Sequence, residues 1–434
     1  MLPDLPAPAP TPAAVLVRAQ RWVGVALQFF SVQLLLQATA IGAGLLFTNT
    51  LSVDQFAIYT IVSSILVTFS FVTDLGSFSV LAYFFHRGGK GTEAYAAIAP
   101  AVLNVRRWLF AALAPVVVAV IVRWGGGASL TAMDLAALSA LVLAIVWWQI
   151  VGTTRLYDLR LHGRYGESYR AEMAGALVRL ALAGLIIYLG WRNATAAVAT
   201  ALAAALVTAW TSNRGAGMTT SLDAVSAPAT RAVVRYLLPT LPNAVYFVVQ
   251  GQFVVWFAAI AGDASSVANI GALGRLGLVV GAFGALTSVV FVPRLAATTT
   301  DRLFTRRFLQ FGLIQTAVAA GLLAAAWVAP RAFLFVLGPT YSGLTHELHL
   351  MILASGLSLL GGYLVAVNSA RSWNRWQPIG LLVLIATQIV LAANLPLGTT
   401  AGALWFGVGS AAVGLAVQAA IAVLGLTRPG WVKW

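Results

Sequence analysis

Stretches of about twenty mostly apolar residues recur from Val23 to the C-terminus, the length a helix needs to cross a hydrocarbon layer roughly 30 Å thick. Such a chain cannot bury its apolar surface in a water-soluble core. Of its 434 residues 60% are apolar and only 9% charged, where a soluble domain carries roughly a quarter charged. The reading is an all-α polytopic membrane protein. Cysteine is absent, which excludes disulfides, thiolate metal sites, iron–sulfur clusters and cysteine nucleophiles. Four histidines and twelve carboxylates leave little for acid–base chemistry, and neither a metal nor a cofactor is expected.

The pattern predicts about twelve spans: Val23–Phe47, Phe56–Phe84, Arg107–Ile121, Met133–Thr153, Glu172–Leu189, Ala194–Thr211, Tyr236–Ile260, Val267–Val292, Phe308–Val328, His346–Asn368, Pro378–Ala393 and Ala401–Leu424. The net charge of +14 then acquires a meaning. Of the 26 lysines and arginines, only Arg123, Arg192 and Arg331 fall in one set of alternate loops, and Arg179 and Arg275 inside spans. All the others, from Arg18 to Lys433, collect on the opposite side. Basic loops are retained on the cytoplasmic side during insertion. Both termini are therefore expected in the cytoplasm, with the chain multi-pass in its membrane. The charge is topology and anionic-lipid contact, and no nucleic acid is expected.

The chain also divides in two. Asp54–Phe84 and Ser265–Leu295 share a hydropathy profile: a short polar loop, a span rich in small residues, then a basic loop. The expected organisation is a disordered, proline-rich tail over 1–17, a six-helix bundle over 18–213, a cytoplasmic linker over 214–235, a second six-helix bundle over 236–426 and a cytoplasmic tail over 427–434. Parallel repeats of this kind enclose a central site opened alternately to each side.

Short motifs add a resemblance. Leu51-Ser-Val-Asp-Gln-Phe-Ala-Ile-Tyr59 followed by Thr73-Asp-Leu-Gly76 resembles the first-hairpin signature of polysaccharide (O-antigen, Wzx-type) flippases, of the multidrug/oligosaccharidyl-lipid/polysaccharide exporter superfamily. Leu238-Pro-Thr-Leu-Pro-Asn243, Ser266-Val-Ala268 and Phe291-Val-Pro-Arg294 are similar to the second-half pattern. Ala57 stands where the family commonly has glycine. The resemblance implies movement of an undecaprenyl-pyrophosphate-linked oligosaccharide from the cytoplasmic to the outer leaflet by alternating access, without ATP hydrolysis, for O-antigen, capsule or exopolysaccharide synthesis. The implied partners are that lipid-linked oligosaccharide, membrane lipids and a polysaccharide polymerase or assembly proteins, around a monomeric carrier.

A carrier for such a cargo needs a cation for the pyrophosphate and hydrogen-bonding groups for the sugar. Charge inside a span is costly and marks a functional candidate. Arg275 lies roughly 12 Å below the end of its span, and a guanidinium fork matches phosphate oxygens; an internal ion pair or carbonyl contact is the alternative. Arg179, mid-span, is the second candidate. Asp74 serves as a coupling group or, in its Asp-Leu-Gly context, as a structural cap or helix break. Gln33 and Gln37 share one helical face, as do Asn243, Tyr246 and Gln250. They are candidates for sugar hydroxyls, the alternative being helix–helix glue. Gly277 and Gly281, in a stripe with Gly271, Gly274 and Gly284, suit close packing or hinging. Pro239 and Pro242 suit a helix first turn or a gate.

Other motifs fall short. His346-Glu-Leu-His349 is not the His-Glu-x-x-His zinc pattern and reads as a helix terminus with Thr345 as N-cap. Arg87-Gly-Gly-Lys-Gly-Thr92 lacks the ends of a phosphate-binding loop. With no nucleotide engine and no large outer domain, the chain is not expected to be an enzyme. A cation-coupled drug or metabolite antiporter of the same fold is the alternative function.

Overall fold

A computed structural model describes residues 12–87, 93–125, 130–215, 226–238, 241–287, 291, 294–295, 298, 301–371, 373 and 375–428. Its elements are α1 (Pro12–Thr50), α2 (Val53–Asp74), α3 (Ser77–Arg87), α4 (Glu93–Gly125), α5 (Ala132–Leu161), α6 (Tyr165–Tyr188), α7 (Ala194–Gly215), α8 (Ala227–Leu237), α9 (Leu241–Gln250), α10 (Phe253–Ala261), α11 (Ala264–Leu286), α12 (Asp301–Val328), α13 (Pro330–Leu337), a short 3₁₀ turn (Pro339–Tyr341), α14 (Thr345–Ala370), α15 (Gln377–Asn394) and α16 (Thr400–Thr427). Among the described residues the regular structure is helical throughout, and 11 helical stretches are long and apolar enough to span a bilayer. The pair α9–α10, bent by 52° at Gly251–Gln252, brings the number to 12.

Helix starts differ between the two ends of the molecule. At the end away from the basic loops, Ser52, Thr131, Asp263 and Thr399 each accept a hydrogen bond from a backbone N–H of the first turn, and Asn193 accepts one from Ala196. These bonds satisfy donors that a helix start leaves unpaired. Thr345 is an exception to the expectation: it is the first helical residue, preceded by Leu344, which makes no side-chain cap. At the basic end, Arg160 and Arg214 occupy last turns, where cations complement the helix dipole.

Four boundaries differ from the sequence reading. α1 is helical from Pro12, so residues 12–17 belong to it rather than to a disordered tail. α4 begins at Glu93, well before the expected Arg107, because the Arg106 side chain is buried within the bundle instead of marking its edge. The end of the linker is not loop but the amphipathic α8, which buries Ala229, Val233 and Leu237 against α3 and α4. The second span is interrupted where Leu75 (φ 41°) and Gly76 (φ 74°) adopt left-handed conformations. That ends α2 at Asp74, whose carbonyl accepts a short hydrogen bond from the Ser77 hydroxyl as α3 begins.

Core packing is uneven along the membrane normal. One hydrophobic cluster joins both halves at the end away from the basic loops, bringing Phe47, Phe56 and Tyr59 together with Val267, Leu337 and Tyr341. At the basic end two separate clusters form instead. One holds Val80, Phe85, Tyr95, Val102 and Val233 of the first half and α8; the other holds Phe304, Tyr363, Val367, Trp373 and Ile421 of the second. The halves are thus sealed at one end and parted at the other.

Candidate functional site

Between the halves lies a cavity of about 860 Å³. Its wall is drawn from α2, the α9–α10 break, α11, α14 and α16. Hydroxyls and amides stud it: Thr60, Ser63 and Ser64 on α2, Gln250 and Gln252 at the break, Ser355 and Ser358 on α14, and Ser410 on α16. Arg275 is the charged residue of the lining, and no carboxylate joins it among the described residues.

The setting of Arg275 follows from two features of its neighbours. Gly44 of α1 leaves room for the side chain: a β-carbon there would stand 2.9 Å from Arg275 Cδ and 3.2 Å from its Nε. The guanidinium then lies over the Tyr59 ring, with Cζ 5.5 Å from the ring centre. This is within the range of a cation–π contact. Nε of Arg275 is buried without a hydrogen-bond partner among the described residues. Arg179, from α6, reaches the same tyrosine from outside the cavity wall and donates from Nη2 to the Tyr59 hydroxyl at 3.2 Å. Its Nε too is buried and unbonded. Two cations therefore share one fully buried phenol, and neither meets a carboxylate among the described ion pairs.

The remaining sequence candidates separate. Gln250 lines the cavity, with its Oε1 unbonded. Tyr246 does not line it; its hydroxyl donates to Gln388 Oε1 at 2.7 Å and ties α9 to α15. Gln33 and Gln37 are half-buried on α1, away from the lining. Pro239 and the side chains of Pro242 and Asn243 lie outside the described residues. Asp74 is held at 3.1 Å from Arg106 Nη2, away from the cavity. Arg106 also donates to Thr154 Oγ1 at 2.8 Å and to the carbonyls of Thr73 and Ile150. That network fixes the α2–α4–α5 junction beside the Leu75 break, which is the structural alternative for Asp74. His349 is engaged with the Ala326 carbonyl at 3.2 Å and stacks on Trp327.

The glycine stripe of α11 faces the cavity rather than a packed partner along most of its length. Gly277 touches Ser355, but Gly281 and Gly274 front open space. The tightest approach along the stripe is at Gly271, where a β-carbon would overlap the Thr60 side chain across the junction of the halves. The expected close contact is thus present at Gly277, against Ser355, and absent at Gly281, which fronts the chamber. Sequence reading also passed over Tyr59, Thr60, Ser63, Ser64, Ser355, Ser358 and Ser410. The spacing of Thr60, Ser63 and Ser64 at three and four residues carried that signal in an otherwise apolar span.

The fold can now be set beside known structures. An inward-facing multidrug resistance MATE family transporter of the MOP superfamily superimposes with a TM-score of 0.67 at 13% identity, over 92% of this chain and 99% of that one. An outward-facing structure of such a transporter gives 0.63 at 15% identity, over 95% and 96%. The lipid II flippase MurJ, in an inward closed conformation, gives 0.62 at 12% identity, over 92% and 90%. The chain has the fold of these transporters. No protein-family profile and no curated protein matches the sequence.

Proposed function

We propose that the protein is a flippase that carries an undecaprenyl-pyrophosphate-linked oligosaccharide from the cytoplasmic to the outer leaflet of a bacterial inner membrane. It would act by alternating access, in O-antigen, capsule or exopolysaccharide synthesis. The observation that carries this reading is Arg275 set in a hydroxyl-rich cavity whose described lining holds no carboxylate. A diphosphate finds there a half-buried guanidinium whose Nε is unbonded. Sugar hydroxyls find serines, threonines and glutamines able to both donate and accept. A cation-coupled antiporter would require an acid in the chamber, and the best-placed acid, Asp74, is bound to Arg106.

With the basic loops read as cytoplasmic, the parted end would face the cytoplasm and the cavity would open where the lipid-linked cargo is made, with both termini on that side. Residues 18–213 and 236–426 then act as the two moving bundles, joined through 214–235, in a monomeric carrier. A polymerase or assembly protein would receive the product.

In the native host, Arg275→Ala is expected to abolish surface polysaccharide while the protein stays at normal abundance in the membrane, and Arg275→Lys should restore only part of it. Undiminished polysaccharide in Arg275→Ala would overturn the assignment. Drug sensitivity without any glycan defect would establish the antiporter instead.

A further inference from the structure

Arg275 belongs to two structures at once. It lines the cavity, and it is also part of the seal that closes the cavity's far end. In that seal Gly44, Asn49, Phe56, Tyr59 and Thr60 of the first half face Gly271, Arg275, Val336 and Tyr341 of the second. Asn49 Nδ2 donates to the Val336 carbonyl at 3.1 Å, Phe56 meets Tyr341 with ring centres 6.3 Å apart, and Gly271 receives Thr60. Those contacts are neutral. Arg275, lying on Gly44 and over the Tyr59 ring, brings charge to the seal.

We propose that Tyr59 is a positioning residue that parks Arg275 across the closed outer seal, and that an anion captured by Arg275 from the cavity releases it. The π face of Tyr59 is a weaker partner for the half-buried guanidinium than a full negative charge would be. A diphosphate offers full negative charge and bidentate geometry to the same donors. The two partners compete for one side chain, so binding the headgroup withdraws Arg275 from the first half and weakens the seal. An empty carrier keeps its outer end shut. Arg179 supports the arrangement from behind: its bond to the Tyr59 hydroxyl holds the ring in place. This inference rests on the cargo reading above for the identity of the anion.

The natural lack of cysteine permits spin labels at Asp54→Cys and Ser342→Cys, exposed positions at the outer end of opposite halves. Distances between them are read by double electron–electron resonance in the reconstituted full-length protein. Without ligand, the parent should hold the outer ends together. Tyr59→Leu should raise the separated population about tenfold, between the scales of an exposed and a desolvated cation–π contact. Gly44→Ala, whose methyl displaces Arg275, should do the same and decides the matter if Tyr59→Leu fails to fold. Tyr59→Phe keeps the ring face but loses the bond from Arg179, and should open less than Tyr59→Leu. Bound undecaprenyl pyrophosphate should separate the ends of the parent. Closed ends in both ring-removing and Arg275-displacing variants would overturn the latch, as would a bound diphosphate that leaves the distance unchanged. Failure of undecaprenyl pyrophosphate to bind at all would overturn the cargo reading instead, while the ligand-free variants still decide the latch.

Discussion

Arg106 and Arg275 are both arginines within the membrane-spanning part of the chain, yet their surroundings assign them opposite work. Arg106 has a carboxylate, a hydroxyl and two carbonyls within reach, so its charge is consumed by structure. Removing one member of such a buried pair strands the other, at a cost of about 3–5 kcal/mol. Arg106→Ala is therefore expected to lower the thermal midpoint of the detergent-solubilised protein sharply, and the double variant Arg106→Leu with Asp74→Leu to recover most of the loss. An unchanged midpoint in the single variant would show that the pair is dispensable. Arg275 was legible in the sequence because a lone cation deep in an apolar span stands out. Its partner Tyr59 was not, since a buried tyrosine reads as one more aromatic, and the contact from Arg179 spans 120 positions. The polar stripe containing Tyr246 was visible too, but periodicity cannot say which neighbour a face meets; here Tyr246 met Gln388 of α15.

At the scale of elements, most spans were readable from length and hydropathy, and the errors cluster where a helix breaks or a charge is buried. Hydropathy does not register the 52° bend at Gly251–Gln252, because both arms remain apolar. It also stops at Arg106, although the helix continues through it. The low hydropathy of the linker hid α8, whose Ala229, Val233 and Leu237 repeat every four residues after a proline in the first turn. The first bundle contains a close helix crossing where a β-carbon on Gly175 of α6 would lie 2.9 Å from the Ala204 carbonyl of α7 and overlap the Thr208 hydroxyl. Overpacked cores lose about 1–3 kcal/mol. Gly175→Val should therefore reduce the folded yield and thermal midpoint, measured by size-exclusion chromatography and thermal unfolding, whereas Gly184→Val, with nothing within 4 Å of its β-position, should change neither.

Across the whole molecule, the distribution of packed clusters defines which end is open. Ser358 tests this directly, since it is exposed within the cavity wall. In inside-out vesicles Ser358→Cys is expected to react readily with a membrane-impermeant maleimide, and in right-side-out vesicles to react little. The reverse pattern would mean that the basic end faces outward or that the resting state is open to the other side. The division in two was legible because Asp54–Phe84 and Ser265–Leu295 share a hydropathy profile on either side of a polar linker. Where the halves touch was not, as it depends on pairs such as Gly44 with Arg275 and Gly271 with Thr60 that join distant parts of the chain.

The lining is lopsided among the described residues: α2 of the first bundle faces α9, α10, α11, α14 and α16 of the second. On the proposed function a passenger seated there would be berthed in the second bundle, and the first would swing across it like a hatch. Substitutions at Thr60, Ser63 and Ser64 would then alter how quickly the hatch clears, while those on α11, α14 and α16 would alter how firmly the passenger is moored.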